Sequence, residues 1–305
     1  MYSRDLSIVI PVFNSANCIV ELVTEIVNEF SKHEFSYEII LVDDGSKDNS
    51  WGKIYELKNK YNFISGIKLG RNYGQHKATL CGLIESRGQY VVTMDDDMEH
   101  DPKSIPLMFS KIKNLSSDLL YGIPSNKKRG LIKSLAVSFY KWISKVENID
   151  AGKGSSFRIL SNNLKEKIVN HNSHLFYMDE MLLWYTESIS TEPLQFRKTK
   201  KIDSGYTFRT LFSLSQNVFM ISTTMPLTFV KFLGFSVSSV SFLYGIYHLF
   251  HKIFLKTEKG YTSLIISILF STGLILLCIG IIGEYLGNVL MMQNGKPAFS
   301  IKEKI

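Results

Sequence analysis

Apolar and polar positions in the first hundred residues alternate between two periods. Leu6 to Val12 is an apolar run that ends at Pro11 and Asn14, the pattern of a strand buried on both faces and stopped by a turn. Ile19, Leu22, Val23, Ile26, Val27 and Phe30 follow at helical spacing, one stripe that faces a sheet. Glu38 to Val42 is the next buried strand, closed by Asp43-Asp44-Gly45-Ser46, and a helical pattern with Trp51, Ile54 and Leu57 begins after Ser50. Phe63 to Leu69 predicts a third strand, Gln75 to Ser86 a helix, and Tyr90 to Met94 a fourth strand running into Asp95-Asp96-Asp97. Such βα alternation predicts an α/β fold with a doubly wound, mostly parallel sheet. Sheets of this kind bind ligands at the carboxyl ends of their strands, where Asn14, Asp43, Asp44, Arg71, Asp95 and Asp97 fall.

The last third follows another pattern. Phe232 to His251 carries no formal charge beyond the titratable His248 and His251, and Tyr261 to Gly283 carries none. Each stretch is long enough to span a bilayer, which takes roughly 20 apolar residues. A buried core helix is the alternative, but two such stretches so close together favour a C-terminal two-helix transmembrane anchor. Lys252, Lys256, Glu258, Lys259 and Gly260 form the connector. Thr210 to Val230 lacks charge yet holds Ser213, Ser215, Gln216, Asn217, Ser222, Thr223 and Thr224, which suits an interfacial amphipathic helix better than a third span. The expected organisation is a catalytic domain over 1–208, a juxtamembrane helix over 209–230, membrane helices within 231–290 (about 231–251 and 261–284) and a tail over 291–305. Leu131 to Ile143 reads equally as a second interfacial segment or a buried helix.

Composition adds three constraints. The N-terminus has no charged segment leading into an apolar one, so the first domain is expected in the cytoplasm. A net charge of +7 suits nucleic acid or an anionic membrane, and two spans favour the membrane over nucleic acid. Basic clusters at Lys127-Lys128-Arg129 and over Arg197 to Lys201 are either solvated faces or phosphate contacts. Cys18, Cys81 and Cys278 have neither metal-ligand spacing nor an even count, which argues against a zinc site or a disulfide framework.

Chemistry concentrates in the carboxylates. The turn after the first strand has no glycine fingerprint and the chain has no Walker A loop, so neither dinucleotide nor ATP-type phosphate cradling is supported. Magnesium takes one or two carboxylates, with water and substrate phosphate completing the shell. Asp95 and Asp97, two apart at a strand end, are expected to point the same way while Asp96 points elsewhere, and Glu99 would add a third oxygen. The rival reading of these acids is turn and cap residues, which we adopt for Asp101, with Pro102 as the first helical position. Asp43-Asp44 alone would be an ordinary strand exit. His76 and His100 flank the acids without metal-ligand spacing and read as supporting or surface groups.

Ile8-Val9-Ile10-Pro11-Val12-Phe13-Asn14, Val42-Asp43-Asp44-Gly45-Ser46, Arg71-Asn72-Tyr73-Gly74 and Met94-Asp95-Asp96-Asp97-Met98-Glu99-His100-Asp101-Pro102 resemble, in order and spacing, family-2 glycosyltransferases of the GT-A fold. Gly154-Ser155-Ser156-Phe157-Arg158, Ser204-Gly205-Tyr206 and Ile282-Gly283-Glu284-Tyr285-Leu286-Gly287 extend the resemblance to dolichyl-phosphate mannose synthases and bacterial polyprenyl-phosphate glycosyltransferases. It implies nucleotide contacts at Pro11, Phe13 and Asp44, with Asn14, Asp43 and Arg71 beside them, and metal-binding acids at Asp95, Asp97 and Glu99. Asp97 and Arg158 would carry catalysis, Arg158 holding phosphate, with Lys200, Ser204 and Tyr206 on the acceptor side. The cofactor would be Mg2+ or Mn2+. The partners would be a nucleotide-sugar donor, UDP-glucose being the commonest, a polyprenyl phosphate acceptor and membrane lipids, with a homo-oligomer left open. The resemblance also implies inversion at the anomeric carbon and a multi-pass protein of the bacterial inner membrane. Ser15-Ala16 stands where the family has two acids, Ser156 where it often has Asp, and Lys200 where it often has Arg. A processive polysaccharide synthase would need a Gln-x-x-Arg-Trp motif, which the chain lacks, and an inactive membrane scaffold would not need these carboxylates.

Overall fold

In the computed structural model the described residues are 4–125, 154–171, 178–197, 230, 232–234, 236, 237, 239, 240, 243, 244, 246, 261–293 and 297–305. The predicted alternation is present: β1 (Arg4–Val12), α1 (Ile19–Phe30), β2 (Tyr37–Asp43), α2 (Ser50–Lys60), β3 (Ile64–Leu69), α3 (Gln75–Glu85) and β4 (Gly88–Thr93). After them come α4 (Ser104–Leu115), β5 (Leu119–Pro124), β6 (Arg158–Ser161), α5 (Asn162–Val169), α6 (Met178–Tyr185) and β7 (Ile189–Leu194). The long helix α7 (Tyr261–Gln293) and the strand β8 (Ile301–Lys304) complete the order.

Eight strands form one sheet in the order β7-β5-β6-β4-β1-β2-β3-β8. The centre is parallel, β1 pairing with β2 and β4 and β2 with β3, whereas β6 and β8 run antiparallel to their neighbours. Period-2 alternation along β1 explains the two layers. Leu6, Ile8, Ile10 and Val12 join α1, α2 and α4 in one core, while Val9 faces the other way into a second core with α3, α5 and α6. Gly82 lets α3 lie close on the sheet, since a Cβ there would sit 2.2 Å from a Val9 methyl carbon. Pro11 is tolerated in a central strand because the last β1–β4 pair is Val9 with Thr93. Its missing N–H, which points toward β4 as the Val9 carbonyl does, falls beyond the end of that ladder.

The chain divides into two units, one comprising 1–205 with 297–305, the other 206–296. In the second, α7 runs for 33 residues and contains an 18-residue window, Phe270–Gly287, with mean hydropathy 1.7. That is one helix long and apolar enough to cross a membrane among the described residues. The described positions between 230 and 246 are helical as well, while 247–260 lie outside the described residues. Lys200, Ser204 and Tyr206, the basic cluster at 127–129 and the segments 131–143 and 210–229 also lie outside them.

Candidate functional site

The strand order reverses at β1, whose neighbours β2 and β4 are fed by crossovers to opposite sides, so the crevice lies beyond the carboxyl ends of β1, β2 and β4. Parallel register sets those ends level, Val12 opposite Asp43, and the Asp44 amide donates to the Val12 carbonyl at 2.8 Å. Phe13, just past β1, is 36% exposed at the rim, whereas Pro11 is buried within the strand. Asn14 adopts a positive φ of 52° and braces the neighbouring loop. Its amide donates to Ser46 Oγ at 3.0 Å, and its Oδ1 accepts from the Lys47 amide at 2.9 Å.

The adjacent acids of β2 do different work. Asp44 accepts from the Tyr73 amide at 2.7 Å and the Gly74 amide at 2.8 Å, which ties the loop carrying Arg71 to the end of β2. Burial raises its carboxyl above the usual range, against the pull of these amides. Gly45, at φ +69°, lets the two loops touch, since a Cβ there would lie 2.6 Å from the Arg71 carbonyl carbon and the Asn72 nitrogen. Arg71 itself is exposed, its guanidinium 4.9 Å from the centre of the Tyr73 ring. Asp43 is fully buried. Its Oδ1 accepts from the Ser46 amide at 3.1 Å, but Oδ2 is buried with no hydrogen-bond partner among the described residues. Leaving a buried acceptor unmet costs roughly 1–3 kcal/mol, a cost a hydrogen-bonding ligand would remove.

Beyond β4 the three consecutive aspartates take different partners. Asp96 turns back to β1, where it accepts from the Phe13 amide at 2.9 Å and from the Ser15 hydroxyl. Asp95 accepts from Ser156 Oγ at 2.6 Å and from the Gln75 amide group. Burial raises its carboxyl, with the charges of Asp97 and Asp96 adding to the rise. Asp97 Oδ1 accepts from the Glu99 amide at 3.0 Å, in a turn made by Met98 at φ 66°. Glu99 is raised by burial and then by Asp97 and Asp95. His100 is buried against Phe157, ring centroids 4.8 Å apart, and its Nδ1 accepts from the Asp95 amide at 3.1 Å. Burial lowers its pKa, consistent with the neutral ring this bond requires.

Among the described residues no group of three Asp, Glu, His or Cys side chains is placed to hold a metal ion. The donor set still fits a magnesium-like ion, because hard oxygens from one or two carboxylates suffice, with water and substrate phosphate completing the shell.

Two basic residues stand differently from expectation. Arg158 opens β6 opposite Thr93 and is 3% exposed. Its Nε donates to Thr93 Oγ1 at 3.1 Å and its Nη1 to Asp179, which also accepts from the Tyr121 hydroxyl at 3.0 Å. A buried guanidinium needs such a partner, so Arg158 is not an open phosphate clamp. Arg197 is bound to Glu25 and Asp101, each at 2.7 Å, rather than turned toward an acceptor. Asp101 caps the Lys103 amide at 3.1 Å in a turn, and α4 starts only at Ser104, so Pro102 is not its first position. Asp179 and Gln75 were not legible in sequence. Each is an ordinary polar residue there, and Gln75 meets Asp95, and Asp179 meets Arg158, only through the packing of distant elements.

A model of "Glycosyl transferase family 2" matches residues 7–163. The "Bactoprenol glucosyl transferase" of Shigella phage SfX is 28% identical over 307 residues, covering 98% of this chain and 99% of the relative. The "Prophage bactoprenol glucosyl transferase homolog" of Escherichia coli (strain K12) is 28% identical, covering 97% and 98%. Among solved structures, glucosyl-3-phosphoglycerate synthase from Mycobacterium tuberculosis in complex with Mn2+, UDP-glucose and phosphoglyceric acid is similar in fold. It has TM-score 0.53 and 18% identity, over 72% of this chain and 78% of that one.

Proposed function

The chain belongs to glycosyl transferase family 2, and from that premise we propose that it transfers glucose from UDP-glucose to a polyprenyl phosphate at a membrane surface, with inversion at the anomeric carbon. The observation that carries this reading is the joining, in one chain, of a strand-end carboxylate site to a 33-residue apolar helix. A polyprenyl acceptor cannot leave the bilayer cheaply, so its enzyme must be held there. The names of relatives that match over nearly their whole length support the acceptor and the sugar, and the UDP-glucose complex of a protein of similar fold supports the nucleotide.

In the reaction a non-bridging oxygen of the lipid phosphate attacks C1 of the sugar. The bond from C1 to the diphosphate oxygen breaks, and UDP leaves. Because a phosphate monoester has its second pKa near 6, it is mostly dianionic at neutral pH and needs no strong base. Asp43 Oδ2 would accept a hydrogen bond from the nucleobase, and Phe13 would cover one face of it. Asp44 keeps the loop bearing Arg71 against that pocket. A divalent cation on Asp97 and Asp95 would neutralise the departing diphosphate. Ser156 donates to Asp95 where a carboxylate would repel it, which holds Asp95 in place. Arg158 orients Asp179 and the loop bearing Ser156, and so acts on substrate only indirectly.

For the anchor we propose two membrane helices, about 231–251 and 261–284, with the catalytic domain on the cytoplasmic side of the bacterial inner membrane. Incubating membranes that contain the protein with undecaprenyl phosphate, magnesium and UDP-glucose should yield a lipid monophosphate sugar and UDP. UMP as the primary nucleotide, with a lipid diphosphate product, would overturn the assignment.

A further inference from the structure

The nine residues that follow the apolar helix and its exit, 297–305, rejoin the sheet unit at the edge beyond β3. Ile305 exchanges backbone hydrogen bonds with Gly66 at 2.9 and 3.0 Å, and Phe299 and Ala298 pack on the core beneath α3. Ser300 makes the contact of interest. Its carbonyl accepts from the Gly70 amide at 2.8 Å, and its hydroxyl occupies the space a Gly70 side chain would need, 2.6 Å from an added Cβ. The same hydroxyl shares a 2.8 Å hydrogen bond with the Tyr73 hydroxyl. Tyr73 in turn carries the Arg71 guanidinium over its ring and gives its amide to Asp44. The loop 70–74 is thus gripped from the β2 side by Asp44 and from the opposite side by a residue 227 positions away from Tyr73 in sequence.

The geometry points to Ser300 as a positioning residue for the nucleotide-sugar donor, fixing through Tyr73 the loop that presents Arg71; this rests on the reading above that the loop faces the donor. The segment after the membrane helix is therefore part of the donor site. Losing the Ser300 hydroxyl frees the Tyr73 ring and lets Arg71 spread over more conformations, a cost that falls on donor binding and not on the acceptor.

Titration of the full-length protein in detergent with UDP, together with transfer kinetics, tests the assignment. Ser300→Ala and Tyr73→Phe should each raise the UDP Kd and the donor KM about three- to tenfold, the span expected for one net hydrogen bond. The KM for undecaprenyl phosphate should stay within about twofold. The double variant should be no worse than either single one, since both remove the same bond. Ser300→Thr, which keeps the hydroxyl, should restore UDP affinity, and Lys304→Ala, which breaks the edge pair with Glu85, should leave it unchanged. The inference falls if Arg71→Ala weakens UDP binding while Ser300→Ala does not. It falls too if the single effects multiply, or if Lys304→Ala costs as much as Ser300→Ala. Should Arg71→Ala leave UDP binding unchanged, the reading of the loop as a donor site is what fails.

Discussion

At the scale of single residues the acids divide into those that hold the fold and those left to hold something else. Asp44 and Asp96 spend their oxygens on backbone amides and a hydroxyl of neighbouring loops, whereas Asp43 Oδ2 is buried without a partner among the described residues. Asp43→Asn keeps the Oδ1 acceptor for Ser46 and removes a buried charge, so the ligand-free protein should melt no lower than the wild type. UDP binding should weaken about tenfold or more, because the amide presents a donor where an acceptor is needed. A lower melting point with unchanged UDP affinity would make Asp43 a structural residue. Asp97→Asn should cut transfer by about a hundredfold or more while the fold persists, since the change removes charge stabilisation at the leaving group and no core packing. Wild-type rates at limiting magnesium would refute that role. The presence of strand-end acids was legible in sequence, but which oxygen remained unmet was not, because the partners of Asp96 and Asp44 lie 83 and about 30 positions away.

At the scale of elements, the site depends on two loops pressed together where β2 and β3 end. Gly45 and Gly74 both have positive φ, 69° and 93°, but their surroundings differ. A Cβ on Gly45 would strike the backbone of Arg71 and Asn72, whereas one on Gly74 would meet nothing within 4 Å. Gly74, with ψ 152° as well, lies in a region nearly reserved for glycine, so Gly74→Ala should cost that backbone strain alone, about 1–3 kcal/mol, and leave UDP affinity nearly unchanged. Gly45→Ala must add to its own positive-φ strain the separation of the loops, and should lose UDP affinity as well as stability. Thermal unfolding and UDP titration of the two variants decide it, and equal losses would show that the close approach does not matter. Helices α1 and α3 and strands β1 to β4 were legible to within a residue or two, and α2 in its start, since buried strands and amphipathic helices declare themselves by period. Strand β8 was not: its four residues are exposed and half of them are lysine, as befits a short edge strand, so no burial pattern marks it.

For the whole molecule, β8 would constrain any crossing of a membrane. The chain leaves the sheet unit after residue 205 and rejoins it at 297, so if the intervening segment spans a bilayer with that unit on one side, the number of crossings is even. If α7 spans, a second span must precede it, and the helical positions described between 230 and 246 lie where the sequence expects one. Cysteine tags placed before Met1 and after Ile305 should both be blocked to an impermeant reagent applied from outside intact cells. Labelling at one end alone would mean an odd number of crossings and a β8 that does not pair with its own domain.

The residue pattern by itself determined the sheet's alternation, the strand ends where acids gather and the apolar stretches of the last third, because each follows from the local period of burial or from runs without charge. Tertiary structure alone decided what each polar group does. Strand pairing set Arg158 against Thr93 and Asp179 instead of an open phosphate, α3 delivered Gln75 to Asp95, and the returning tail brought Ser300 to Tyr73. A hydrogen bond needs two groups within about 3 Å in the right direction, and that condition depends on the packing of distant segments, which local periodicity does not encode.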